Sequence, residues 1–560
     1  MNLSSWAVLF GVASGVVGWP RAWQRLQLSR AKHRSLAGHS RIAKRLTRWI
    51  PSYAYDEARF FAADHAPEAV QNQRRFALGR LGQALLQRSP KTLAITHSVR
   101  EGIPDLAFTG RYRVPFQFSP VLRASLQLGA FWQAAEGVEL IDADGVRYLD
   151  LTGSYGVNIF GVDFYKATMA QGAATGAKLG PVLGGYAPEV AAIVPRLKAI
   201  SGMEAVSFHM SGTEAVMQAV RLARYHTGRS KIVRFAGAYH GWWDDVQPGP
   251  GNPMPPGHVY TLQDMSARSL GVIASRRDIA CVLVNPLQAL HPNQNAPGDQ
   301  TLIDGSRQAG FDRAAYTAWL QELRAVCTAA GVALIMDEVF VGFRLGERGA
   351  QGYFNVDADM VCYGKSLGGG LPVGVVCGKA AWMQRFKPER PADICFARGT
   401  FNAHPYVMGS MWAFLQQLQT PHIQALYAQA DARWDAQLST WNQRFVSEGL
   451  PLRVQGLQSI WTITYTQPSR YHWLLQFYLR EQGLALSWVG TGRLIFSLNY
   501  TDAQLAEVLE SVVRAAHHMQ SDGWWWSSPG ITAREMRRSV LHEMLRVKWR
   551  SLLSKFGVSS

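Results

Sequence analysis

The chain opens on an unbroken apolar run, residues 3–19 (LSSWAVLFGVASGVVGW), with no charged side chain before Pro20 and Arg21. The run sits at the short limit of a membrane span and carries three glycines. Three readings fit it: a membrane anchor, an apolar helix docked on the protein and, because the start is Arg-rich and acid-free, an organelle transit peptide. No basic stretch precedes it and no A-x-A-like site is obvious, so a cleaved secretory signal fits badly. Positive charge follows the run. As an anchor it would therefore leave the body of the protein cytoplasmic, on the inner face of the membrane.

Residues 21–110 pattern as helices, with Arg, Leu, Ala and Gln enriched (ALGRLGQALLQR). From about residue 110 short β-like runs alternate with helical ones: VELIDADGVRYLDL, EAVSFHM, KIVRF, ACVLVN, VALIMDE and VVCG. Strands interleaved with helices predict an α/β fold with a mostly parallel sheet over 111–420. LRVQGLQSIWTITY and GRLIFSL predict a smaller α+β domain over 421–520. In 521–560, Trp524, Trp525 and Trp526 and a break at Pro529-Gly530 precede a basic helical pattern. Leu541, Met544, Leu545, Trp549, Leu552, Leu553 and Phe556 recur there at helical spacing, among Arg546, Lys548, Arg550 and Lys555. This tail suits an interfacial helix on an acidic membrane, and equally an amphipathic helix packed on its own domain.

Composition narrows the classes. The chain has 560 residues, 48% hydrophobic and 17% charged, which is ample for a sizeable ordered core and excludes a disordered chain. Net charge is +17, concentrated at the ends: no acidic residue precedes Asp56, and a second basic run covers Arg534 to Lys555. No zinc-finger spacing or RNA-binding signature accompanies it, so no nucleic-acid partner is expected. The five cysteines (Cys281, Cys327, Cys362, Cys377, Cys395) lack CxxC spacing and read as reduced, mostly buried thiols, with no metal site.

Four motifs carry chemistry. In VSFHMSGTEAVMQAVRLARYHTG, a strand-like run ends in Ser211-Gly212-Thr213 before a helix. Such a turn is an ordinary cap or, through its free N–H groups and dipole, a phosphate seat. In FAGAYHGWWDD, Tyr239 and His240 follow a strand and are either packing residues or a stacking and proton-handling pair. In VALIMDEVFVGFR, Asp337-Glu338 end an apolar strand, where open α/β sheets bind ligands, though a strand-end acid can also cap a turn. In MVCYGKSLGGGLPVGVVCG, Lys365 lies between apolar residues and a glycine cluster. Lifted out of water, a lysine has a lowered pKa and forms Schiff bases; most lysines are simply solvated.

In this order the four motifs are far more specific than any one. With GTFNAHP, they make the chain resemble class III pyridoxal-phosphate (PLP) aminotransferases of the glutamate-1-semialdehyde aminomutase-like kind, over about residues 110–520. NPLQALHPN and GTFNAHP look closest to aminotransferase domains of polyketide and nonribosomal peptide synthases. The resemblance implies the type I PLP fold and a homodimer with active sites at its interface. It matches Lys365 to the lysine that forms the Schiff base with the cofactor and moves the proton. It matches Asp337 to the acid facing the pyridine nitrogen, Ser211, Gly212 and Thr213 to the phosphate turn, and Tyr239, with His240 beside it, to the ring-stacking aromatic. Thr400 matches the residue that reaches the phosphate from the neighbouring subunit. One position departs: Asn285 stands before Pro286 where the family usually has glutamate, which puts substrate choice in doubt.

The expected activity is transfer of an amino group from an amine donor to an aldehyde or ketone, with PLP as cofactor. An acyl or polyketide-like acceptor on acyl carrier protein or coenzyme A is one refinement, with a membrane surface as a further partner. An intramolecular 2,1-aminomutase is the enzyme alternative. A silent membrane-associated scaffold is the non-enzyme alternative, and the presence of Lys365 and Asp337 speaks against it.

Overall fold

The computed structural model describes residues 20–32, 39–49, 55–286, 312–487 and 492–555. The apolar run 3–19, and with it the choice between anchor, docked helix and transit peptide, lies outside the described residues. Among the described residues no helix is long and apolar enough to cross a membrane.

Among the described residues sixteen strands follow in chain order: β1 Trp132–Glu136, β2 Glu139–Asp142, β3 Arg147–Asp150, β4 Ala205–His209, β5 Lys231–Phe235, β6 Val259–Leu262, β7 Ile279–Val284, β8 Ala333–Asp337, β9 Met360–Gly364, β10 Gly374–Gly378, β11 Phe386–Lys387, β12 Arg390–Ile394, β13 Leu452–Leu457, β14 Ile460–Tyr465, β15 Leu484–Ala485 and β16 Arg493–Ile495. The central sheet has seven strands in the order β4-β10-β9-β8-β7-β5-β6. Its strands β6, β5, β7, β8 and β9 pair parallel, and β10 is antiparallel to both neighbours. Two reversals restore β4 to the common direction. The sheet is thus mostly parallel, as the alternating pattern predicts. Every residue of β7, β8, β9 and β10 is buried, which accounts for their continuous apolar sequences.

This direction places the site. The segments after β4, β5, β7, β8 and β9 all leave at one edge, and they contain Ser211–Thr213, Tyr239–His240, Asn285, Asp337–Glu338 and Lys365.

Among the described residues three smaller sheets accompany the central one, one of them the antiparallel pair β11-β12. The β13-β14-β16 sheet is antiparallel and packs Trp461 edge-on against Trp434 and Trp441 from the helix Pro421–Ser447. The β1-β2-β3-β15 sheet draws three strands from residues 132–150 and closes with β15, parallel to β3. Hairpin-like runs near residue 140 are thereby completed by a strand more than 300 residues later.

The early segment is helical, as expected, with helices at 20–31, Ser40–Trp49, Glu57–Ala62, Glu68–Arg88, Pro90–Val99 and Pro104–Tyr112. It is stitched to the C-terminal part by buried arginines. Arg74 donates to the carbonyls of Gly523 and Phe61, both at 2.9 Å, and lies over the Tyr471 ring. Arg470, 2% exposed as a side chain, ties three regions together. It pairs with Asp64 at 2.8 Å and Glu543 at 3.0 Å, and donates to the Tyr55 and Ser539 hydroxyls. Trp524 and Trp525 are buried, and the Trp524 indole donates to the Tyr478 hydroxyl at 2.7 Å. The tail helix Ala533–Lys555 buries Met536 and packs Met544 and Val547 on the core, yet leaves Leu541, Leu545 and Trp549 exposed. The tail is thus packed in part on its own domain, as one of its two readings has it. All five cysteines are buried thiols, as expected.

Breaking a buried pair from one side leaves a charge uncompensated. Arg470→Met should therefore lose about 3–5 kcal/mol in urea unfolding. The double variant with Asp64→Asn should recover a measurable part of that loss.

Candidate active site

The four motifs meet around Val339. Gly212 opens the helix Gly212–Thr227, and a Cβ there would come within 2.6 Å of Val339 Cγ1. A Cβ on Gly364, the residue before Lys365, would come within 3.2 Å of the same atom. Gly241 has φ +91°, and a Cβ on it would lie 2.6 Å from Thr213 Oγ1. Glycine is required at these positions because backbone packs directly on side chain. The Ser211–Thr213 turn, the Tyr239–His240 loop and the ends of β8 and β9 are thereby held in contact.

Lys365 is the first residue past β9 and sits in the left-handed region at φ +47°, an uncommon conformation for a side-chain-bearing residue. Its turn is pinned from the next residue. Ser366 Oγ reaches the carbonyls of Gly156 (3.1 Å) and Val157 (2.8 Å). The Lys365 Nζ lies 5.2 Å above the Phe340 ring, which also has Arg493 and Arg344 over it at 5.8 and 5.9 Å. Burial pushes the amine down to about 8; Asp337 pulls it up, and Arg493 and Arg344 push it further down. Roughly a tenth to a fifth is then neutral and nucleophilic near physiological pH, far more than for a solvated lysine.

Asp337 ends β8 and is buried. Its Oδ1 accepts the Val339 N–H at 3.1 Å, and its Oδ2 lies 2.7 Å from His240 Nδ1. Burial holds the His240 pKa below its ordinary value, against the pull of Asp337. The neutral ring, placed this way, carries its proton on Nδ1 and donates it to the carboxylate. Its Nε2 is buried with no hydrogen-bond partner among the described residues. Because His240 is neutral, the negative charge of Asp337 is not cancelled by its neighbour.

The adjoining Tyr239 is 59% exposed, with its ring open to the site edge. Ser211 caps the helix by accepting the Glu214 N–H at 3.2 Å, and Glu214 accepts the Met210 N–H at 3.0 Å. Glu338 turns away from Lys365 and accepts the N–H groups of Ala350 and Gln351, so of the two acids one caps a turn, as a strand-end acid can. Asn285 follows β7. Register pairs Val284 with Met336, which puts Asn285 level with Asp337. The rest of its motif, from residue 287 on, lies outside the described residues. Thr400 is exposed on the turn after β12 and is not gathered into the buried cluster.

Sequence reasoning missed Val339, Phe340, Arg344 and Arg493. The first three lie inside DEVFVGFR, where only Asp337 and Glu338 drew notice. Arg493 lies in β16, far along the chain, and no local signal marks it.

The residues present fit pyridoxal phosphate. A neutral-prone amine, an uncancelled carboxylate, a helix N-terminus with free N–H groups and an open aromatic ring face one region. A pyridinium, a phosphate and an aldehyde ask for these groups.

Fold and site together define a type I PLP enzyme. The sequence profile described as "Aminotransferase class-III" matches residues 122–246 and 300–516, more than half of the chain, and the chain belongs to that family. It is accordingly a PLP-dependent enzyme that takes an amino donor and a carbonyl acceptor. The chain is 34% identical over 370 residues to a glutamate-1-semialdehyde 2,1-aminomutase of Desulfotalea psychrophila, covering 62% of this chain and 79% of that one. Its identity to the enzyme of that name from Syntrophus aciditrophicus is 32% over 372 residues, with the same coverage. Among solved structures it is similar to a transaminase with PLP bound (TM-score 0.63, 25% identity, 78% of this chain and 99% of that one). It also shares the fold of a β-phenylalanine aminotransferase from Variovorax paradoxus (TM-score 0.65, 24% identity, 80% and 98%).

The neutral amine is the form that captures an aldehyde. Uptake of PLP by the apoenzyme, followed by stopped-flow absorbance, should rise about ten-fold per pH unit below the Lys365 pKa of about 8 and level off above it. Asp337 favours the ammonium form, so Asp337→Asn should move that midpoint down.

Proposed function

We propose that Lys365 and Asp337 are the catalytic pair of an aminotransferase that moves nitrogen from an amine donor to an aldehyde or ketone. The observation that carries this reading is a buried amine with its pKa near 8, at one sheet edge with a carboxylate whose histidine partner is neutral. When bound, the cofactor supplies an electron sink for charge developing at the donor's Cα. The chain's own groups do the rest. Lys365 Nζ would take the proton from the donor's Cα and hand it, within the same half-reaction, to the cofactor's aldehyde-derived carbon, and in the opposite half-reaction it would move a proton back from that carbon to the acceptor's former carbonyl carbon. Asp337 keeps the ring nitrogen protonated, and His240 holds the carboxylate in place. Ser211, Gly212 and Thr213 would seat the phosphate through the helix N-terminus, and Tyr239 would stack on the ring.

The finer reading concerns acceptor and setting. The acceptor is a carbonyl on an acyl or polyketide-like chain carried by acyl carrier protein or coenzyme A. Support comes from the NPLQALHPN and GTFNAHP segments and from Asn285, whose neutral amide stands level with Asp337. The enzyme works as a homodimer in which exposed Thr400 reaches the partner's phosphate seat. The cytoplasmic body works against the inner face of a membrane, with contact through residues 3–19 or through the basic ends of the chain. The aminomutase reading keeps one specific support, the 34% identity to a glutamate-1-semialdehyde 2,1-aminomutase.

Lys365→Ala should abolish the yellow band of lysine-bound cofactor and lower turnover by at least about a hundred-fold, the scale of a lost general acid–base. Wild type should aminate acyl-carrier ketones faster than it isomerises free glutamate-1-semialdehyde. Equal or better turnover of the free semialdehyde overturns the acyl reading, and donor-independent isomerisation establishes the mutase.

A further inference from the structure

The two ends of the chain meet on the surface. Lys548 Nζ, on the tail helix Ala533–Lys555, donates to the Trp49 carbonyl at 2.7 Å and lies 5.4 Å over the Trp49 ring. Trp49 is the last residue of the helix Ser40–Trp49. That helix is tied to the body by Lys44, which donates to the Met254 carbonyl at 2.5 Å, and it turns Ala43 inward.

Both helices present the same pattern outward. On the first, Ile42, Leu46 and Trp49 form an exposed stripe at helical spacing, with exposed Arg41, Arg45 and Arg48 alongside. On the second, Leu541, Leu545 and Trp549 form the stripe, with exposed Arg538, Arg546 and Arg550. The two tryptophans, 69% and 65% exposed, are the most open of these six apolar side chains. Carboxylates are sparse beside the arginines. Residues 40–49 contain none. Of the two on the tail helix, Glu543 pairs with Arg470, and Glu535 accepts from Thr532 and offsets Arg538 at the first turn, leaving Arg546 and Arg550 further along.

We propose that these two helices form one docking face for an anionic lipid bilayer, lying at the level of its headgroups. Arginines beside an apolar stripe match a surface that is anionic at the phosphates and apolar just beneath, and tryptophan favours that depth. An RNA would pair the arginines and leave both stripes wet. The inference deepens the membrane contact proposed above and rests on that contact, but it places the contact on a face the fold assembles rather than on residues 3–19.

The test is co-flotation of the full-length holoenzyme with vesicles of phosphatidylcholine alone or with added phosphatidylglycerol. Wild type should bind the anionic vesicles and lose binding as salt rises. The charge variant Arg45→Glu/Arg546→Glu and the stripe variant Trp49→Ala/Trp549→Ala should each bind at least about ten-fold more weakly, with residues 3–19 intact. Their cofactor absorbance and thermal unfolding should match wild type, since these side chains face solvent. If both variants bind like wild type, or wild type binds neutral vesicles equally well, the face is not the contact and residues 3–19 remain as the anchor. If wild type binds neither vesicle, the membrane contact falls altogether. If a single-stranded RNA displaces the protein from vesicles stoichiometrically, the face is a polyanion site and the lipid assignment is wrong. Amination of a soluble carbonyl in the same preparation reports separately on the proposed chemistry.

Discussion

The site depends on how few charges can share one buried space. Lys365, Arg344 and Arg493 converge on the Phe340 ring, and Asp337 is the carboxylate that acts on the Lys365 amine. Burial alone would drive the amine neutral, and two guanidiniums push in the same direction. Asp337 opposes them, and the balance leaves the amine poised close to neutrality rather than locked in either form. That balance requires Asp337 to stay anionic and fixed. The Val339 N–H and a neutral His240 hold it without cancelling its charge.

Such a balance survives only if the groups cannot drift apart. The lock is close packing between backbone and side chain. Gly212 and Gly364 both approach Val339, and Gly241 approaches Thr213, so three loops and a strand end are wedged together with no room for a Cβ. The motifs that look independent along the chain are therefore mechanically one body. The left-handed φ of Lys365 fits this picture: the turn at Ser366, anchored on Gly156 and Val157, holds a conformation a free lysine would rarely adopt.

Away from the site the chain solves a different problem, joining a helical extension and a tail to the catalytic body. Arg74 and Arg470 do so as buried cations whose donors are met by carbonyls, hydroxyls and carboxylates from distant segments. Buried charge of this kind specifies one arrangement, because any other leaves a guanidinium unpaired in a dry interior. With Glu543 drawn into this cluster, Glu535 at the first turn is the carboxylate left against the arginines and apolar stripe of the described tail helix.

Much of the molecule was legible in the sequence. Apolar strands alternating with helices declared a mostly parallel sheet, because strands buried on both faces must be apolar throughout. The four motifs in their order, through the resemblance to class III aminotransferases, declared the family and with it the cofactor. What the sequence left open was decided by contacts between residues far apart in it. Asp337 and Glu338 are adjacent carboxylates with equal claims, yet one meets His240 and the other caps a turn at Ala350 and Gln351. Arg493 enters the Lys365 environment from the C-terminal sheet, and β15 completes a sheet begun at residue 132. The tail pattern fitted two readings because helical spacing records which residues share a face and not what that face meets. Local pattern is set by covalent order and side-chain type; pKa, pairing and exposure are set by which distant groups share a small volume, and only the folded chain determines that.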